Sequence, residues 1–191
     1  MSFLKQSDLE KLGFKSLGKN VLLSNKASIY NAKNISIGDN SRIDDFSILS
    51  AGDGGINIGK NVHIACFSAI IGRGMVIMDD FSGLSSRVSV YSSSDDYSGE
   101  YMTNPCIPND FTNTIHKDVI IGKHSVIGAS SIVLPGVHIG NYSAVGAMSL
   151  VKDNVGEFEI VAGVPAKKMK DRKRQILEVE LKYLQYITNE K

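Results

Sequence analysis

The sequence predicts a parallel β-helix, a coil of short strands stacked turn upon turn. Three observations carry that expectation. An aliphatic residue recurs at every sixth position through two long tracts, glycine follows it in step, and the recurrence breaks off once in a polar stretch before resuming. Six residues match neither the period of an α-helix nor the alternation of a flat strand. They fit a triangular coil in which each side turns one residue inward.

Taken in order, Ser7 is placed to cap a short helix beginning at Asp8, with Glu10 in the reciprocal capping-box position. Leu9, Leu12 and Phe14 supply its apolar surface, so residues 1–20 read as a helical cap over the open end of the coil. The coil is expected over residues 21–165. Its first tract runs through Ile37, Ile43 and Leu49, takes up Asp53, Gly54 and Gly55 as a bulging turn, and resumes through Ile58, Ile64, Ile70 and Val76. The pattern fades after Val90, in YSSSDDYSGEYMTNPCIPNDFTNTIHKD, residues 91–118. Polar residues, two prolines and several aromatics there read as a loop that leaves the coil and places side chains over a neighbouring groove. The second tract runs through Ile121, Ile127, Val133, Ile139, Val145 and Val151, with Gly122, Gly128, Gly140 and Gly146 following four of them. Residues 166–191 hold a basic segment and a helix, the latter expected over 171–188. Leu177, Leu181, Leu184 and Tyr183 or Ile187 share its apolar face, for packing on the coil or on another subunit, and Glu178, Glu180 and Lys182 lie elsewhere.

The 21 basic and 20 acidic residues nearly cancel, which speaks against the broad basic face of a general nucleic-acid binder. No apolar run approaches the roughly 18 residues of a membrane span. No secretion-signal pattern is present either, and a cytoplasmic location is expected. Cys66 and Cys106 are too few for a disulfide framework and are not spaced as a metal cluster.

The run IGKHSVIGASSIVLPGVHIGNYSAVGAMSLV, followed by AGVPAKKMK, strongly resembles the hexapeptide-repeat acyltransferases. The likeness is greatest to bacterial sugar O-acetyltransferases, galactoside and maltose acetyltransferases among them, and to related amino-sugar N-acetyltransferases; it covers about residues 20–170. It implies left-handed coiling and a homotrimer with active sites at the subunit interfaces. It also implies transfer of an acetyl group from acetyl-CoA to a sugar or nucleotide-linked amino sugar, in cell-surface polysaccharide biosynthesis. Overlaid on the family, Gly128 or Ala129, Ala147, Lys152, Lys167 and Lys170 fall beside acetyl-CoA. Small side chains there admit the pantetheine arm, and the six positive charges within residues 167–174 meet its phosphates.

The family's general-base histidine has no counterpart, because the mapped position falls at Asp95 or Ser94. His116, at the return of the loop, is therefore the first candidate for the base, ahead of His63 and then of His138 and His124. Asp95 is expected to orient the imidazole, hold the acceptor or shape the turn. Asp96, Tyr97 and Asn104 are candidate acceptor contacts, with loop packing as the competing role. The four histidines lack the separated three-histidine arrangement of metal-dependent β-helix hydrolases, so no metal is expected. A non-catalytic β-helix binding module is the remaining alternative; it would hold its ligands without releasing free coenzyme thiol.

Overall fold

The computed structural model describes residues 2–189 and is a parallel β-helix with three faces. Within each face, an interior strand pairs in parallel with the strand one coil above and one below. On the first face Ile35–Ile37 pairs with Ile56–Ile58, that strand with Val76–Met78, and Val76–Met78 with Val119–Ile121. The ladder thus closes across the polar excursion as though the intervening residues were absent. The second face runs from Leu22–Leu23 through Gly83–Leu84 and Val126–Ile127 to Glu159–Gly163. The third runs from Ser28–Tyr30 through Ser89–Tyr91 to Leu150–Val151.

The sixth-position residues form the core: Ile37, Ile43, Leu49, Ile58, Ile64, Ile70, Ile121, Ile127, Val133, Ile139, Val145 and Val151 are all buried, and the expected Val76 is buried opposite Ile56, with Met78 in the register of Ile58 and Ile121. Asp53 to Gly55 form the expected bulge, with Gly55 at φ 83°. Glycine is not what turns most corners. Phe46, Phe67, Phe81, Arg87, His124, Ser130, Tyr142, Met148 and Phe158 all take left-handed φ values between 56° and 61°. Buried serines one residue beyond several of these corners tie coil to coil, Ser47 to the carbonyl of Ala65 and Ser125 to that of Gly140. Such bonds satisfy hydroxyls that would otherwise be costly to bury.

Both terminal helices depart from expectation. Helix α1, Gln6–Lys11, follows Lys5 as its N-cap, with no side-chain capping bond. Ser7 lies inside the helix, so the capping box does not form; Gln6 instead bonds Glu10 along the helix surface. Leu9 is buried in the core, while Leu12 stays exposed. At the other end, Ala166–Asp171 is a strand, antiparallel to Glu159–Gly163, and helix α2 spans Ile176–Asn189. The backbone of the basic segment is therefore used by the sheet before the helix starts.

Of the expected apolar face of α2, Tyr183 meets the coil, edge-on to Phe81 at a centroid spacing of 5.9 Å, while Leu177, Leu181 and Leu184 are exposed on the single chain, Leu181 by 62%, and Glu180, expected elsewhere, is buried. The reason is the corner beneath it. Phe81, His124, Tyr142 and Phe158 stack at centroid spacings of 4.7, 5.4 and 4.8 Å, and Glu180 pairs with Lys123 and stands 3.2 Å from His124 Nε2 beside this stack. Arg172 fixes the approach of the chain by donating from one guanidinium nitrogen to the carbonyls of His124, Tyr142 and Ser143.

Candidate active site

The excursion leaves the third face after Ser89–Tyr91 and is closed at its neck by a two-residue antiparallel ladder, Ser93–Ser94 with Ile115–His116. Ser93 joins neck to coil: its Oγ accepts from the Arg73 backbone N–H at 2.7 Å and lies 2.8 Å from His116 Nδ1. Farther out, the Asn104 side chain accepts from the Cys106 N–H at 2.9 Å and holds its own residue at φ 79°. Between this loop and the coil edge at Ser50–Gly52 and Ile71–Arg73 opens a cavity of about 560 Å³. Asp95, Asn104 and His116 all line it. Asp95 is the one carboxylate among the lining residues and Arg73 the one permanent cation, the latter 3.0 Å from exposed Asp53. The wall thus presents one guanidinium, paired with Asp53, and one carboxylate among polar side chains.

Two other expected contacts face elsewhere. Asp96 accepts from both the N–H and the hydroxyl of Ser98 at 2.8 Å, closing a turn, and these bonds, the backbone one first, hold its carboxyl below the ordinary value. Tyr97 is 91% exposed and lies outside the cavity wall.

The corner between the second and third faces carries a column of small residues. Arg87 N–H donates to the Cys66 carbonyl at 3.1 Å, Ser130 N–H to Ser86 at 3.0 Å, and Met148 N–H to Ala129 at 2.8 Å. Cys66, Ser86, Ala129 and Ala147 therefore stack in register. Gly128, beside this column, is glycine because an added Cβ would stand 2.4 Å from the Ala147 nitrogen. Lys152 and Lys167 converge on Asp153, at 3.5 and 3.8 Å. Lys170 is exposed on the terminal strand, and neighbouring Lys168 is held protonated by Asp171 and Glu159, each at 2.9 Å.

The histidines are dispersed. His63 Nε2 bonds Asp44 at 2.9 Å on the second face; burial opposes the Asp44 charge, but bonds from Arg42 and His63 outweigh it and keep the carboxyl below its ordinary value. His124 is in the aromatic stack, and His138 points outward from the first face. Among the described residues no three His, Cys, Asp or Glu side chains cluster as a metal would require.

The family model for bacterial transferase hexapeptide repeats (six repeats) matches residues 114–153. An Escherichia coli protein named dTDP-4-amino-4,6-dideoxy-D-glucose acyltransferase is 49% identical over 180 residues, spanning 94% of each chain. The chain belongs to the hexapeptide-repeat acyltransferases. As a member it is an acyl-transferring enzyme built on a left-handed parallel β-helix. The acyltransferase is similar to the crystal structure of a serine-to-cysteine mutant of AntD, an N-acyltransferase from Bacillus cereus, in complex with dTDP-4-amino-4,6-dideoxyglucose and coenzyme A. There the TM-score is 0.93 at 48% identity, over 97% of this chain and 98% of that one. A further AntD structure, with dTDP and 3-hydroxybutyryl-CoA, matches at a TM-score of 0.92. Galactoside acetyltransferase shares the fold alone, at 19% identity and a TM-score of 0.59.

The AntD structures include variants at one serine and at one aspartate ten positions beyond it. At nearly the same place along the chain, this acyltransferase has such pairs in Ser85 with Asp95 and, one residue on, Ser86 with Asp96. Ser85 closes the second face and Asp95 follows the third, so the two stand at opposite ends of the third face of one chain. Sequence reasoning passed over Ser85 and Arg73. The only local signal for Arg73 was its position between two glycines at a coil edge, and Ser85 looked like any other small corner residue.

Proposed function

We propose that the enzyme is an acyl-CoA-dependent N-acyltransferase whose acceptor is a dTDP-linked 4-amino-4,6-dideoxyhexose, a unit for cell-surface polysaccharide. The observation that carries this reading is the near end-to-end likeness to two proteins of that description, together with the Ser85 and Asp95 spacing. The donor class is acyl-CoA, of which acetyl-CoA is one member. The nucleotide sugar occupies the cavity under the loop, where Arg73 meets its diphosphate and Asp95 faces the amine. The acyl-CoA runs along the small-residue corner over Ala147 and Ala129 to Ser86, and Lys152, Lys167 and Lys170 meet its phosphates.

The amine nitrogen attacks the thioester carbonyl; the C–N bond forms, the C–S bond breaks, and the proton lost by nitrogen passes through Asp95 to the departing thiolate. The Ser85 hydroxyl donates to the developing oxyanion. His116, held by Ser93, keeps the neck of the loop and the acceptor in place. Because Ser85 and Asp95 lie at opposite ends of one face, a site using both is completed by a second copy, which favours a homotrimer with three shared sites. The test is acceptor-dependent release of coenzyme thiol with dTDP-4-amino-4,6-dideoxyglucose and a panel of acyl-CoAs. Mixing inactive Ser85→Ala with inactive Asp95→Asn after subunit exchange restores turnover if the site is shared. No thiol release from any donor refutes acyl transfer to this acceptor, and no complementation refutes the shared site.

A further inference from the structure

Gly83 is glycine for no reason that the coil supplies. At every other glycine either φ lies in the left-handed region or an added Cβ would come within 3.0 Å of a neighbouring atom. At Gly83 neither holds: the added Cβ meets only the His63 carbonyl oxygen, at an ordinary 3.6 Å. The residue sits in the ladder of the second face, paired with His63 on one side and Val126 on the other. Glycine inside a strand weakens it and marks a place where something else comes close.

The missing side chain leaves a notch of about 320 Å³, walled by Ala65, Leu84, Ser85, Ser86 and Val126, with His63 at the rim. His63 is fixed there by its bond to Asp44, which Arg42 holds from the other side at 2.6 Å. The notch adjoins the corner column at Ser86, which stacks between Cys66 and Ala129. A thioester lying over Ser85 and Ser86 at the end of a pantetheine arm directs its acyl chain onto the second face and into this space.

We propose that the Gly83 notch holds the acyl group of the donor and that the side chain at position 83 sets the acyl length the enzyme accepts. This rests on the acyl-CoA reading above. The experiment compares wild type, Gly83→Ala and Gly83→Val as full chains, measuring kcat/KM with acetyl-, butyryl- and hexanoyl-CoA at saturating amino sugar, with thermal melts as the folding control. Each carbon misfitted in an apolar pocket changes discrimination by roughly 10–200-fold. The ratio of butyryl to acetyl transfer should therefore fall at least about tenfold in Gly83→Ala and further in Gly83→Val. Val126→Ala, which widens the notch, should shift the ratio the opposite way, and free coenzyme A should bind all variants alike. Equal losses with every chain length, or unchanged ratios in the folded variants, overturn the proposal. A wild type that transfers from none of the donors strikes instead at the acyl-CoA reading, and is seen without any variant.

Discussion

Glu180→Ala should release helix α2 while leaving the coil folded. The carboxylate is the buried side chain of the helix, 9% exposed, and it faces Lys123 and His124 on the coil. A charge-assisted hydrogen bond contributes about 1.5–3 kcal/mol. Lys123 keeps 34% of its side chain exposed, so solvent screening reduces the expected loss to about 1–2 kcal/mol, a factor of roughly 5–30 in an opening equilibrium. The assay is native-state hydrogen exchange: amides of residues 176–189 should lose protection by about that factor while those of the coil keep theirs. Were the helix part of the cooperative coil, the same loss would instead lower Tm by about 2–8 °C. Acid should act in the same sense. Burial opposes the Glu180 charge, yet Lys123 and His124 hold its carboxyl below the ordinary 4.5, and burial holds His124 below 6.5. Both folded values are depressed, so each contribution is present above the ordinary value and lost as pH falls through the folded one. Wild-type α2 should loosen first below pH 6.5 and again below 4.5, and the second step should vanish in Glu180→Ala. Unchanged exchange in α2, or equal loss in helix and coil, would refute the reasoning.

Asp95→Asn preserves shape and removes the proton acceptor, so kcat should fall by about 10²–10⁴-fold with little change in nucleotide-sugar KM; single-turnover kinetics that keep a tenth of the wild-type rate would exclude Asp95 as the base. His116→Gln should fall less in kcat and more in KM, as expected of a positioning residue. Ile64→Ala, at a fully buried site in mid-stack, should cost about 2–5 kcal/mol and lower Tm by roughly 4–20 °C in calorimetry. Replacing Lys167 and Lys170 together by alanine should narrow the affinity difference between coenzyme A and its dephosphorylated form, measured by titration calorimetry.

The sequence alone determined the coil, because its cause is local and repeated. An aliphatic residue every sixth position has one way to be buried, and twelve such positions from Ile37 to Val151 are buried as their spacing required; Val76 is buried too, but opposite Ile56, with Met78 in the register of Ile58. The excursion after Val90 was legible for the same reason, as the place where that repetition stops, and Asp95, Asn104 and His116 do line one cavity within it. Only the tertiary structure decided what meets across coils. Asp96 closes its own turn and Tyr97 faces solvent, outcomes set by hydrogen bonds that no spacing announces. Helix α2 docks by Glu180 and leaves its leucines exposed because the corner beneath it offers Lys123 and His124, a choice made by residues more than fifty positions away. Gly83 precedes its aliphatic residue, Leu84, where the second tract's glycines follow theirs, but that no contact of the coil requires it shows only once the atoms of the neighbouring coils are placed around it. A repeat specifies its own core because each residue there meets copies of the same pattern, whereas a site is formed where unlike coils, loops and helices converge, and those distances exist only once the chain is wound.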